Sequence, residues 1–155
     1  MERKFTVPGP PKGKQRPRIC TFNGQRIAYT PKQTVEYEKL IRASYTAVSK
    51  SKFERNLPLE ISILALFPIP KYVNRKTKDL MLNGRLFPTK KPDADNIVKI
   101  ILDALNGVAY RDDVQICRVY FDKIDKYNFA RSIDSNSCSI NNFENWSCYN
   151  ERVFK

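Results

Sequence analysis

The sequence predicts a single domain of mixed α and β structure. Three observations carry this: apolar residues alternate from Leu59 to Phe67 as in a strand, they recur at three-to-four spacing around Tyr37–Val48 and Ile97–Leu105 as in helices, and 155 residues suffice for one core but not for two comfortable ones.

Phe5 and Val7, followed by Pro8-Gly9-Pro10-Pro11, read as a short strand entering a rigid turn. Lys12 to Arg18 then forms a basic loop, kept extended by its prolines, in which Gly13 permits close backbone approach. Arg26 to Tyr29 reads as a hairpin strand after a turn at Asn23-Gly24. A helix is expected from Thr30 to about Ser49, with Thr30 as cap, Pro31 in its first position and Gln33 completing a capping box. Tyr37, Leu40, Ile41, Ser44, Tyr45 and Val48 should face the core, which assigns the aromatics to packing. Leu64 and Leu66 break the polar side of the strand Leu59 to Phe67, so its second half should be buried on both faces and the strand central. Residues 71–91 have weak periodicity and read as a mobile or loosely helical arm. From Asp95 to Leu105 the helical pattern is strong, with Ile97, Ile100, Ile101, Ala104 and Leu105 as the buried stripe and Asn106-Gly107 as the stop. Val114 to Ile124 should return as a strand. Residues 129–155 are Ser- and Asn-rich, and this tail, following a main domain of residues 1–128, is expected to supply an edge strand or to be partly disordered.

The chain holds no histidine, which excludes Ser-His-Asp and Cys-His machinery, histidine bases and histidine metal sites. Carboxylates, lysines or tyrosines must do any chemistry. Cys20, Cys117, Cys138 and Cys148 are widely spaced with no C-x-x-C pair, which argues against zinc and disulfides. No apolar run reaches the roughly 20 residues a membrane helix needs, and the first residues carry no apolar leader, so a cytoplasmic protein is expected.

The net charge is +12, concentrated in two segments. Residues 1–20 carry six Lys/Arg against one Glu, and residues 71–91 carry seven against one Asp. Such concentration points to a phosphate-bearing polyanion rather than to solubility alone. Against this background five of sixteen carboxylates fall within residues 93–113: Asp93, Asp95, Asp103, Asp112 and Asp113. Hard oxygen donors crowded between basic segments suit Mg²⁺ or Mn²⁺. The plainer reading makes Asp93 or Asp95 a helix cap and Asp112-Asp113 turn residues. A helix start also repels a cation, so several carboxylates would have to outweigh the dipole. Convergence of Asp93, Asp95 and Asp113 is expected if the return strand carries Asp113 back to the helix start. Lys99 lies four residues from both Asp95 and Asp103, as two ordinary helix ion pairs or as an ammonium beside a scissile phosphate.

Lys91-Pro92-Asp93-Ala94-Asp95-Asn96-Ile97-Val98-Lys99, then Asp103-Ala104-Leu105, then Asp112-Asp113-Val114-Gln115 closely resemble the ordered signature of the RusA-type Holliday junction resolvases. Gly9 to Arg18 and Tyr29-Thr30-Pro31 look like the branch of that family found in Gram-positive bacteria and their phages. The likeness spans about residues 3–127. It implies a small α/β (α+β) domain with a mixed sheet flanked by helices, acting as a homodimer. The implied activity is Mg²⁺- or Mn²⁺-dependent nicking of four-way junction DNA in recombination and repair, with no membrane partner and no small-molecule cofactor. By position, Asp93, Asp95 and Asp113 match the metal-binding acids, Asp112 is a secondary candidate, and Lys99 matches the essential lysine. Lys12, Lys14, Arg16, Arg18, Lys76, Lys90 and Lys91 are the expected DNA contacts. Two alternatives stand beside this: a flap-type nuclease, and a branched-DNA-binding protein without catalysis.

Overall fold

A computed structural model of the chain describes residues 2–83, 85–125 and 136–142. Glu2–Val7 (β1) alternates exposed and buried positions, turning Phe5 and Val7 inward. Arg3 goes inward with them: its guanidinium stacks 4.0 Å from the Phe53 ring centroid and donates to the Ser51 carbonyl at 2.6 Å. It therefore belongs to the core and not to the basic surface. Arg18–Phe22 (β2) and Gln25–Tyr29 (β3) form a separate two-stranded ribbon. Asn23 and Gly24 both have positive φ, 49° and 75°, as the predicted Asn-Gly turn requires.

Lys32–Val48 (α1) starts one residue later than expected. Pro31 is its cap residue, Thr30 supplies no cap, and the Pro31 carbonyl accepts from Thr34 and Val35 instead. The capping box fails because its glutamine is engaged elsewhere: the Gln33 side chain accepts from Gln15 at 2.8 Å. Tyr37, Ile41 and Tyr45 are buried as predicted, but Val48, at the last turn, is 54% exposed.

Leu59–Phe67 (β4) lies between two neighbours, with Ala65, Leu66 and Phe67 all buried, as expected of a central strand. Arg75–Leu82 (α2) is one short helix in the basic arm, capped by the Asn74 side chain on Thr77 N–H. Ala94–Leu105 (α3) buries the whole predicted stripe. Gly107 ends it in the left-handed region at φ 73°. A 3₁₀ turn, Asp113–Gln115, leads into Ile116–Asp125 (β5).

The main sheet has the order β1-β6-β4-β5, where β6 is Asn136–Asn142. β4 and β5 are parallel, and β6 is antiparallel to both β1 and β4. The sheet is mixed, as the resemblance implies. The expected edge strand of the tail is corrected here: β6 is inserted between β1 and β4 and buries Cys138 and Ile140. Cys138 and Ile140 stand two residues apart, as a strand's alternation requires of side chains that share a face. Other tail residues lie outside the described ones. α1 and α3 share one core with the sheet, in a single domain. Among the described residues no helix is long and apolar enough to cross a membrane.

Candidate active site

The start of α3 is where most of the predicted residues assemble. Asp93 holds the cap position, yet its side chain makes no capping hydrogen bond, and Asp93, Asp95 and Lys99 are all exposed. The capping reading for Asp93 therefore falls. The ion-pair reading for Lys99 falls too: among the described residues it pairs with neither Asp95 nor Asp103, and Asp103 pairs with Lys14 at 2.9 Å. Two carboxylates and an ammonium are thus presented to solvent on the first turns of one helix.

The basic loop is strapped onto this helix. Lys14 N–H donates to the Asn96 carbonyl at 2.8 Å, Gln15 N–H reaches the Thr34 hydroxyl at 3.4 Å, and Gly13 lies against Pro92 and Asn96. The Lys14 ammonium bridges Glu38 of α1 and Asp103 of α3. Burial works against its charge, but the two carboxylates outweigh that and hold its pKa above the ordinary lysine value. Lys14 was expected among the DNA contacts; its ammonium is committed to protein carboxylates. Lys12 sits 5.8 Å from the Tyr37 ring centroid. Loop and helix start together wall a cleft of about 490 Å³, lined by Lys12, Gln33, Lys91, Asp93 and Asn96 among others.

Lys123 of β5 pins the segment before α3. Its ammonium donates to the Pro92 carbonyl at 3.1 Å and to that of Lys90. Lys91 lines the cleft and is exposed, as are Lys90 before it, Arg16 and Arg18 further along the loop, and Lys76 on α2.

The second acidic group lies at the opposite end of α3. Asp112 accepts from Val114 N–H at 3.3 Å, and Gln115 fixes the turn by accepting from Arg111 N–H at 3.0 Å and donating to the Glu54 and Leu57 carbonyls at 2.8 and 3.3 Å. The hydrogen-bonded Asp112 carboxyl, some burial and the charge of Asp103 hold the Asp113 carboxyl above the ordinary carboxylate range. Asp112 and Asp113 thus stand as two adjacent acids in one exposed turn, while Asp103 is neutralised by Lys14.

The expected convergence of Asp93, Asp95 and Asp113 within one chain does not occur. α3 runs against the parallel β4 and β5, so the residues entering β5 stay at the helix's C-terminal end. β5 starts at Ile116 beside Leu59, and only at Lys123 does it reach Pro92. Those seven residues span about 23 Å at the rise of a strand. Among the described residues no three His, Cys, Asp or Glu side chains are grouped to hold a metal ion. The carboxylates at both ends of α3 are donors of the type a hard divalent ion takes.

No role is legible in the sequence for Glu38, Lys123 or Gln115 as positioning residues. Gln115 alone carried a signal, as the last member of the D-D-x-Q motif.

An exposed acid-and-lysine helix start walled by a basic loop, in a small α+β domain, is the arrangement the structure presents. The chain belongs to the endodeoxyribonuclease RusA family, whose model matches residues 8–131. It is also 36% identical over 115 residues to the Bacillus subtilis (strain 168) protein named "Uncharacterized protein YqaN", a match covering 73% of this chain and 80% of that protein. It is thus a member of a DNA endonuclease family.

Proposed function

We propose that this protein is a structure-selective endonuclease that nicks opposing strands of four-way DNA junctions with Mg²⁺ or Mn²⁺, in recombination and repair. The observation that carries the reading is the uncapped, exposed Asp93–Asp95–Lys99 face beside the basic cleft, in a chain of this family. Asp93 and Asp95, with the Asp112–Asp113 pair, are the donors for the ion. When bound, it would supply an activated water and neutralise charge at the phosphate. Lys99 holds the scissile phosphate through its ammonium, and the cleft residues Lys12, Lys90 and Lys91 bind neighbouring phosphates. Arg16, Arg18 and Lys76 extend that contact. Lys14, Glu38 and Lys123 keep loop and helix start in fixed relation, so the phosphate arrives in register.

Two symmetric nicks need two sites about a two-fold axis, hence a homodimer. The dimer also answers the separation of the acids. The Asp112–Asp113 turn of one subunit set against the α3 start of the other completes both sites at once.

A second reading, branched-DNA binding without catalysis, is favoured by the absence of a three-acid group among the described residues. A flap-type nuclease is the other rival. Cleavage of a synthetic four-way junction, a flap and a linear duplex, with and without divalent ion, separates all three. Junction nicking that needs the ion supports the proposal. Flap preference selects the flap nuclease, and metal-saturated binding with no cutting selects the coat protein.

A further inference from the structure

The β2–β3 ribbon has no core of its own, yet it is rich in large apolar side chains. All ten of its residues are exposed, with Ile19 at 70%, Phe22 at 65%, Tyr29 at 45% and Ile27 at 44%. A two-stranded ribbon is marginal alone in water, so four such side chains held open on one call for an occupant. The register defines what the ribbon presents. Arg18 faces Tyr29, Cys20 faces Ile27 and Phe22 faces Gln25, and residues two apart on a strand share a face. One face therefore carries Tyr29, Ile27 and Phe22 in a row, with Arg18 beside Tyr29. The two aromatic rings stand four residue steps apart, about 14 Å at a strand's rise.

Charge identifies the occupant. Residues 3–35 contain eight Lys/Arg and no carboxylate. A second ribbon brought against this one would set arginines against arginines without a compensating acid, so a copy of this chain is a poor fit. A polyanion fits, but duplex DNA hides its base faces in the stack and leaves these rings nothing flat to meet. Unpaired nucleotides offer both phosphate and an open π face, the combination that single-strand binders recognise with aromatic and basic side chains.

We infer that the β2–β3 ribbon is a stacking platform for unpaired DNA bases at the branch point, with Phe22 and Tyr29 as the stacking residues and Arg18 as their phosphate contact. This deepens the junction reading and rests on it for the biological source of the bases. The ribbon continues in the chain directly from the loop that walls the cleft.

The test uses the full chain carrying both Phe22→Ala and Tyr29→Ala, with an oligothymidylate and a linear duplex of equal length as probes. Affinity for oligothymidylate should fall at least tenfold while duplex affinity changes less than twofold. Phe22→Tyr with Tyr29→Phe should restore it. Both residues are exposed, so an unchanged melting curve is expected and checks folding. Equal losses on both probes, or none, overturn the inference, as does a change in sedimentation showing that the double variant has lost a subunit contact. Wild-type junction cleavage in the same preparation keeps the two claims apart. If the wild type nicks junctions and the probe contrast is absent, only the platform falls. If the contrast appears and no cutting is seen, the platform stands as a base-binding surface and the nuclease reading falls.

Discussion

The backbone amide of Lys14 donates to the carbonyl oxygen of Asn96 at 2.8 Å, which ties the basic loop to the first turns of α3. The contact exists because Gly13 has no side chain: a Cβ there would stand 2.7 Å from the Pro92 Cβ and 3.0 Å from the Asn96 Cβ. Gly13→Ala should therefore push the loop off the helix. Overpacking of this kind costs about 1–3 kcal/mol, and each kcal/mol lowers the Tm by about 2–4 °C at this chain length. Junction cleavage should fall more steeply than stability, since Lys12, Arg16 and Arg18 move with the loop. A variant that melts and cuts like wild type would show that the strap has no role.

Gln115 is the second prediction. Its amide satisfies Arg111 N–H and two carbonyls of the 54–57 segment; only the contact to Leu57 is partly buried, so Gln115→Ala should cost about 0.5–1.5 kcal/mol. With the Asp112–Asp113 turn untied from the 54–57 segment, single-turnover cleavage should drop at least tenfold while junction affinity stays within a factor of about three. Titration by gel shift beside the cleavage assay reads both. An unchanged cleavage rate would detach the turn from catalysis.

Subunit mixing tests the divided site. Asp95→Asn and Asp113→Asn protein should each be inactive alone. In a mixed dimer built from shared sites, one site carries both substitutions and the other carries neither. An equimolar mixture should then recover about a quarter of wild-type sites, read as single nicks. No recovery from a mixture proven to exchange subunits would place all the acids of a site in one chain.

Asp125 gives a pH-dependent prediction. It is 2% exposed, and among the described residues its Oδ2 has no hydrogen-bond partner. Burial pushes its carboxyl above the ordinary range, against the pull of Lys90. A carboxyl that holds its proton more tightly folded than unfolded loses stability as pH rises through the folded pKa, and the loss is complete above it. Asp125→Asn should thus be no less stable than wild type at pH 7, by a margin that vanishes towards pH 4. Urea titrations at both pH values measure it, and a substitution that destabilises at pH 7 would contradict the burial argument.

Much of this fold is legible in the sequence because its core elements carry strong periodicity. The α3 stripe from Ile97 to Leu105 is buried residue for residue, and Asn23-Gly24 makes its turn. Long-range pairing is not legible. Nothing local in Asn136–Asn142 announces that it divides β1 from β4, since a strand with few apolar residues can be interior when its neighbours supply the rest. The same limit applies to the site. Asp93, Asp95 and Lys99 share one helix, so their grouping follows from spacing. The position of Asp113 depends on which way β5 runs, and parallel pairing with β4 leaves it at the far end of α3. Lys14 shows the reverse case: in sequence it is one of several loop cations, and only folding sets it between Glu38 and Asp103.

The most direct measurement is single-turnover cleavage of a synthetic four-way junction by wild type and by Asp95→Asn, with Mg²⁺ or Mn²⁺ present, and binding measured in parallel. The wild type should nick opposing strands, and the variant should bind the junction at least as tightly while cutting at no more than about a thousandth of the rate. Near-normal cutting by Asp95→Asn would contradict the assignment of the α3 acids as the reaction centre.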